Sequence, residues 1–122
     1  MRKSVFFLTI LLLNSFSATA QTTISGDISG QIFKPSGNPW VVKENIYVES
    51  GEKTIIKPGC IFLFKPFTGI VVQGSFEVEG QPDAPVVFTS INDTAYNDAS
   101  TQNAEPFDWN GISIEKTAEK IT

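Results

Sequence analysis

Residues 45–56 read Asn-Ile-Tyr-Val-Glu-Ser-Gly-Glu-Lys-Thr-Ile-Ile, and residues 69–78 read Gly-Ile-Val-Val-Gln-Gly-Ser-Phe-Glu-Val. Each stretch holds two short strands of alternating aliphatic residues, separated by a turn that contains glycine. Ile46 recurs as Ile70, an offset of 24 in the numbering, and in both places a second aliphatic residue follows two positions on. A period of this length predicts a repeat architecture, in which like side chains of successive turns lie over one another.

The repeat extends along the chain on both sides of these stretches. We expect Phe62 to lie over Val86, which has the same offset of 24. The next aliphatic pair begins at Ile112, an offset of 42 from Ile70, because a polar loop over residues 90–110 interrupts the repeat. The predicted core consists of inward-facing side chains two apart along each strand: Ile46, Val48, Ile56, Phe62, Phe64, Ile70, Val72, Phe76, Val78, Val86, Phe88, Ile112 and Ile114.

In the order in which they occur, these segments resemble the right-handed parallel β-helix repeat proteins that bacteria secrete or carry on their surfaces. The matching runs are Tyr47–Gly51, Thr54–Gly59, Ile61–Phe64, Gly69–Phe76, Val86–Ser90 and Asp108–Ile112. The resemblance covers residues 40–114 and implies an all-β solenoid of about two to two and a half coils. A repeat array needs about three units with caps. We therefore expect the N-terminal part of a longer protein, or a truncated product; a self-capped short β-helix or an edge-to-edge dimer is the alternative.

Alternation also places aliphatic residues on the outside of the coil, namely Ile55, Ile61, Leu63, Val71 and Val87. We expect residues 21–40 to act as a capping segment, and residues 41–122 to form the coils. We expect residues 22–40 to cover these outward-facing residues with Ile24, Ile28, Ile32, Phe33 and Trp40, and a partner chain is the alternative. The last strand leaves an unpaired edge, for which further coils or another chain are the expected partners.

Residues 1–20 have the pattern of a secretory signal peptide, with two basic residues, a nine-residue apolar run over 5–13 and Ser-Ala-Thr-Ala at 17–20. The run is far shorter than the roughly 20 residues that a spanning helix needs. We expect export to the periplasm, the outer surface or the extracellular space, with no membrane span. Cys60, the single cysteine, is predicted to be a buried thiol.

After cleavage the chain would hold thirteen acidic residues and seven lysines, with neither Arg nor His, for a net charge near −6. This charge excludes a nucleic-acid partner, because phosphate binding needs a cationic surface. Polysaccharide lyases and hydrolases are the enzymes that the resemblance implies first. The absence of His and Arg removes the usual general base and the guanidinium that binds a uronate, and no catalytic residue is assigned.

The polar loop holds the candidate site residues. Asp93 and Asp98 are possible Ca²⁺ ligands, although their spacing fits neither the EF-hand nor the glycine-rich nonapeptide repeat, so a loop without metal or cofactor is favoured. Trp109, with Asp108 and Tyr96, is the candidate contact for a sugar. The favoured role of Trp109 is to pack outside the coil and to anchor the return of the loop, and the acidic residues are first of all turn formers.

The sequence predicts a non-enzymatic exported scaffold of the cell surface that serves adhesion or contact with polysaccharide. One alternative is the N-terminal fragment of a polysaccharide lyase or glycoside hydrolase whose active site lies beyond residue 122. Another is a small sandwich-type carbohydrate-binding module, which the repeat disfavours.

Overall fold

The computed structural model describes residues 21–122. These residues form nine strands and one short 3-10 turn, Pro35–Gly37. The strands are β1 Thr22–Asp27, β2 Ile32–Phe33, β3 Trp40–Val48, β4 Lys53–Ile56, β5 Ile61–Phe64, β6 Gly69–Val72, β7 Ser75–Val78, β8 Val87–Ser90 and β9 Gly111–Ile114. The predicted all-β class is confirmed for this part of the chain. The predicted signal peptide lies outside the described residues.

The strands form two separate sheets in which every strand pairing is parallel. Sheet A is a half-barrel of six strands, with β3 between β1 on one side and both β5 and β6 on the other. The outer edge of sheet A consists of β8, paired with β5, and β9, paired with β6. Sheet B has the order β2-β4-β7, and Ile121 bridges to Phe76 on its last strand.

The regular spacing in the sequence identifies strands that become neighbours. Ile46 pairs with Ile70, and Ile70 pairs with Ile112, as predicted. Thr54 pairs with Phe76 in sheet B, which confirms that the second strand of each stretch also recurs. The longer interval before Ile112 therefore leaves the strand register unchanged.

The predicted fold class, a right-handed parallel β-helix of about two to two and a half coils, is wrong. The strands divide between two separate sheets of unequal size. The repeat predicts a short strand at 45–48, whereas β3 is one continuous strand of nine residues that pairs with β5 at its start and β6 at its end. Because two strands share one partner, sheet A does not consist of equivalent coils.

The predicted stacking of Phe62 on Val86 is also wrong. Phe62 pairs with Phe88, and the two rings stack with their centroids 5.3 Å apart. A tight turn around Gln81 and Ala84, each of which donates its N–H to the carbonyl of the other, precedes β8. This turn makes the chain before β8 longer by two positions than the repeat allows, so Phe62 meets Phe88 instead of Val86. A slip of two positions keeps the same side chains facing inwards.

The core lies between the two sheets. Eight of the thirteen predicted core residues are buried, namely Ile46, Val48, Ile56, Phe62, Phe64, Ile70, Val72 and Phe76. Val78, Val86 and Phe88 are partly buried against them, whereas Ile112 and Ile114 are exposed at the edge of sheet A. Residues outside the predicted set complete the core: Ile28, Phe33, Val42 and the thiol of Cys60.

Asparagine side chains hold the turns that join the strands. The amide of Asn38 donates to the carbonyl of Gly59 at 2.7 Å, and its oxygen accepts the N–H of Ile61 at 2.8 Å. Asn45 accepts the N–H of Gly69 in the same way, at 2.9 Å. These contacts satisfy backbone groups at strand ends that no ladder partner reaches. Residues 21–122 contain no helix that is long and apolar enough to span a membrane.

Candidate contact surface

The connecting loop, residues 91–110, joins β8 to β9. It begins on the outer face of sheet A, because Thr89, the neighbour of Leu63 in the strand register, donates its hydroxyl to Asp93 Oδ2 at 2.7 Å. It also reaches the opposite side of the sheet, since Gln21, which precedes β1, lines one groove together with loop residues. The connecting loop therefore crosses the outer face of sheet A.

This path changes the predicted cover of the outward-facing aliphatic residues. Leu63 points away from the core between the sheets and is nevertheless fully buried. The cover predicted for it was the segment 22–40, but Ile28 and Phe33 of that segment pack in the core, while Ile32 is exposed. The connecting loop is the segment that crosses the face on which Leu63 lies.

Asp108 closes the connecting loop. Its Oδ2 accepts hydrogen bonds from the Glu105 N–H at 3.1 Å, the Ser90 hydroxyl at 3.0 Å and the Asn92 amide at 3.3 Å. The first of these contacts contributes most to holding the pKa of Asp108 below its ordinary value, followed by the Ser90 hydroxyl. A carboxylate with three donors is a structural anchor that ties the two ends of the loop together.

The predicted Ca²⁺ ligands do not lie in a cluster of ligands. Asp93 accepts the Thr89 hydroxyl with one oxygen and the N–H of Ala95, at 3.0 Å, with the other. Asp98 is exposed in a turn further along the loop. Within residues 21–122, no group of three Cys, Asp or Glu side chains is placed to hold a metal ion. Asp93 performs the turn-forming role that the sequence favoured for it.

The groove between the connecting loop and the start of β1 has a volume of about 300 Å³ and is open to solvent. Its lining residues are all uncharged, and most of them carry an amide or a hydroxyl: Gln21, Ile91, Asn92, Asn97, Ala99, Ser100, Thr101 and Gln102. Asn97 forms the floor, being buried with its amide donating to the Ile91 carbonyl at 2.7 Å. Amides and hydroxyls both donate and accept hydrogen bonds, so this lining can bind a ligand rich in hydroxyl groups.

The three residues predicted to contact a sugar occupy different environments. Trp109 is partly buried and stacks on Phe64, with the ring centroids 4.2 Å apart. Asp108 is engaged by its three donors, as described above. Tyr96 is exposed on the loop. Of the two aromatic residues, Tyr96 therefore has the ring that is more available to a ligand.

Two exposed phenylalanines belong to the surface beside β6 and β9 and were missed by sequence reasoning. Phe67 and Phe107 are 85% and 98% exposed, and both have positive φ, 65° and 67°. Each follows a proline in a four-residue turn closed by a backbone hydrogen bond of 3.2 Å. The recurring Pro-Phe dipeptide, in which proline favours the second turn position and a positive φ follows, is the sequence signal that predicts such turns.

The two phenylalanine turns are joined through Asn110. The Asn110 side chain donates to the carbonyl of Phe67 at 3.0 Å, and its N–H donates to the carbonyl of Thr68 at 2.8 Å. The turn that carries Phe107 leads into β9, next to the strand that follows Phe67. An exposed aromatic side chain on a strained backbone raises the free energy of the folded state. Such positions are typical of contact surfaces.

Comparison with known proteins gives a limited likeness. Over 77 residues the chain is 30% identical to Protein bark beetle of Drosophila melanogaster, a match that covers 63% of this chain and 2% of that protein. The chain thus spans a very small part of that relative, and no family follows from the likeness. No protein-family model matches the chain, and no solved structure matches it. The resemblance to bacterial surface proteins is not tested by these comparisons and stays a prediction.

Proposed function

We propose that this protein is a non-enzymatic exported scaffold of the cell surface, and that the groove beside its connecting loop binds a neutral carbohydrate. The observation that carries this proposal is the lining of the groove, which is uncharged and rich in amides and hydroxyls. Residues 21–122 have an excess of six acidic groups. Uncharged lining side chains in an acidic chain favour ligands that are polar and neutral over uronates or phosphates, and cleavage of the predicted signal peptide would add the α-amino group of Gln21 at the rim.

The size of the groove agrees with this ligand class. Its 300 Å³ lies at the lower end of the range of about 300–1,000 Å³ that small-molecule sites occupy. The exposed side chains of Gln21, Thr101 and Gln102 offer donors and acceptors at its rim. Sugar rings also stack on aromatic faces, and Tyr96 is an exposed ring of the same loop that lies outside the lining of the groove.

The state of the loop carboxylates supports a role other than catalysis. Asp93 and Asp108 accept hydrogen bonds from the loop and from the end of β8. The lowered pKa of Asp108 makes it a poorer proton donor at neutral pH, whereas a general acid needs a raised pKa. Both groups serve to fix the loop on the sheet.

A glycan-binding experiment tests the proposal. We expect neutral oligosaccharides to bind more tightly than uronate-containing ones when both are immobilised on an array and the affinities are then measured by calorimetry. Gln102→Ala should weaken binding by about tenfold, the loss expected for one or two hydrogen bonds to the ligand. Gln73→Ala is the matched control, because Gln73 is an exposed glutamine that does not line the groove.

Two results would overturn the proposal. One is a failure of every neutral glycan to bind the folded protein. The other is an equal effect of Gln102→Ala and Gln73→Ala, which would place the binding site away from the groove. Phe107→Ala is a useful third variant, since a loss specific to it would move the site to the phenylalanine turns.

A further inference from the structure

Gln21 belongs both to the predicted cleavage site and to the groove. The Ala-Thr-Ala run at 18–20 is typical of a cleavage signal, and cleavage after it makes Gln21 the first residue of the exported chain. Strand β1 begins at the next residue, where the Thr22 N–H donates to the Pro39 carbonyl at 3.0 Å. Gln21 itself is exposed and lines the groove. The new α-amino group therefore lies next to a fixed strand, at the rim of the groove.

A free α-amino group would change the electrostatics of the groove. The side chains that line it are all uncharged, among them Asn97, Ser100 and Gln102. An α-amino group carries a positive charge at pH values below about 8, and among the lining residues that the structure describes none has a carboxylate to pair with it. Such a charge attracts uronates and phosphates, the ligands that the uncharged side chains disfavour.

A glutamine at the start of a chain can remove this charge by its own chemistry. The unprotonated α-amino nitrogen attacks Cδ of the side-chain amide, which forms an N–Cδ bond and closes a five-membered lactam. The Cδ–Nε2 bond then breaks, a proton passes from the attacking nitrogen to the departing one, and ammonia leaves. The step needs no oxidant, reductant or second reactant. Because nucleophile and amide belong to one residue, their effective concentration is high.

The position of Gln21 in the fold is compatible with this ring closure. All the atoms of the lactam ring belong to Gln21, so the backbone from Thr22 onwards does not have to move. The register with β3 starts at Thr22, and the exposed side chain of Gln21 can change its rotamer in solvent. The lactam that results stays at the rim of the groove, because the strand that follows it is fixed.

We propose that Gln21 of the exported protein is converted to pyroglutamate, which leaves the rim of the groove neutral. The lactam keeps one carbonyl acceptor and one N–H donor, so the rim still offers hydrogen bonds to a ligand rich in hydroxyl groups. This inference rests on the export that is part of the proposed function, because Gln21 must first become the N-terminus. It does not depend on the binding of any glycan.

Mass spectrometry of the protein secreted from cells that express the full chain tests the modification. We expect an intact mass equal to that of the chain from Gln21 onwards less one molecule of ammonia. N-terminal sequencing should be blocked, and digestion with pyroglutamyl aminopeptidase should expose Thr22. Gln21→Asn is the matched control, because it keeps an amide but could close only a strained four-membered ring, so its amine should stay free.

The outcomes separate this inference from the proposed function. A secreted chain that begins at Gln21 with a free amine overturns the modification and leaves export intact, as does a chain that begins at another residue after cleavage. A chain that retains residues 1–20 overturns both.

The same variant tests the effect on the groove. At low salt, Gln21→Asn should bind uronate-containing glycans up to about fivefold more tightly than the wild type, the effect of one added charge close to a ligand in water. Equal affinities would overturn the role of the lactam at the rim.

Discussion

Truncation of Phe62 to alanine tests the packing between the two sheets most directly. The ring is fully buried and contacts three other aromatic rings. It meets Phe33 edge-on at 5.3 Å and stacks with Trp40 at 6.3 Å and Phe88 at 5.3 Å. These neighbours come from β2, β3 and β8, so the ring joins strands of both sheets.

The size of the effect follows from these contacts. Truncation of a buried phenylalanine costs about 3–5 kcal/mol in free energy of unfolding. An aromatic pair adds roughly 0.5–1.5 kcal/mol to the area term, and three such pairs place Phe62→Ala near the upper limit, at about 4–5 kcal/mol. A domain of this size has about 5–15 kcal/mol of stability in total, so we expect this variant to lose a large fraction of it.

Guanidinium unfolding followed by circular dichroism measures the change. Phe107→Ala is the matched control, because the same ring is lost from a position that is almost completely exposed. We expect it to change the free energy by less than about 0.5 kcal/mol. Phe62→Leu, which keeps most of the apolar volume, provides a folded variant for further measurements.

A double-mutant cycle then tests the register itself. Phe62→Leu combined with Phe88→Leu should show a coupling energy of about 0.5–1.5 kcal/mol, because the two rings stack. The coupling of Phe62 with Val86, the partner that the repeat alone predicts, should be smaller. A larger coupling with Val86, or a cost of Phe62→Ala no greater than that of Phe107→Ala, would refute the register and the core described here.

Further expectations concern the core thiol, a buried hydroxyl and the loop anchor. Cys60 should react with Ellman's reagent only at the rate at which the chain unfolds, because it is fully buried and burial raises the pKa of its thiol. Thr54→Val should cost about 0.5–1.5 kcal/mol in denaturant unfolding, since Thr54 donates to the Ile28 carbonyl at 2.8 Å and that carbonyl keeps only the N–H of Gln31, at 3.2 Å, as a partner. The hydrogen bonds that lower the pKa of Asp108 stabilise the loop above the ordinary pKa of 3.8, and this contribution is lost as the pH falls through the lower, native pKa. The protection of the Glu105 amide against hydrogen exchange, taken relative to its intrinsic rate at each pH, should fall in that pH range, and Asp108→Asn should abolish this fall.

The strand neighbours could be predicted from the sequence because they depend on local patterns that repeat. Ile46, Ile70 and Ile112 each begin an aliphatic pair, so their alignment needs no knowledge of the turns between them. The register of Phe62 depends on the turn before β8, whose length the repeat misjudged by two positions. Periodicity of two cannot detect such a slip, because the inward face is the same in both registers.

The repeat also failed to predict the full length of β3 and the presence of β1. Lys43 and Glu44 are polar and exposed, so the alternation predicts a strand only from residue 45 onwards. The backbone continues through these residues as one strand. β1 was missed because Thr22–Asp27 contains a single aliphatic residue, and its pairing with β3 is a tertiary effect.

The groove was not predictable from any local motif. Gln21 and Gln102 are far apart in the sequence, and they meet because the connecting loop crosses the outer face of sheet A. Sequence reasoning predicted that contact with a sugar would lie within the loop and named Tyr96, Asp108 and Trp109, of which Trp109 packs on Phe64. The recurring Pro-Phe turns carried a usable signal, since a phenylalanine in a short polar turn has no core to enter.

A framework of paired parallel strands can vary the length of a connecting loop at a small cost in free energy. The interval from Ile70 to Ile112 is nearly twice as long as that from Ile46 to Ile70, yet both pairs keep the same parallel register. The entropy of loop closure grows only with the logarithm of length, so the longer interval costs about 0.5 kcal/mol more than the shorter one. A single anchor such as Asp108, with three hydrogen bonds, can offset that difference. The strands therefore constrain the sequence where they pair, while the segment between β8 and β9 is free to acquire residues that bind a ligand.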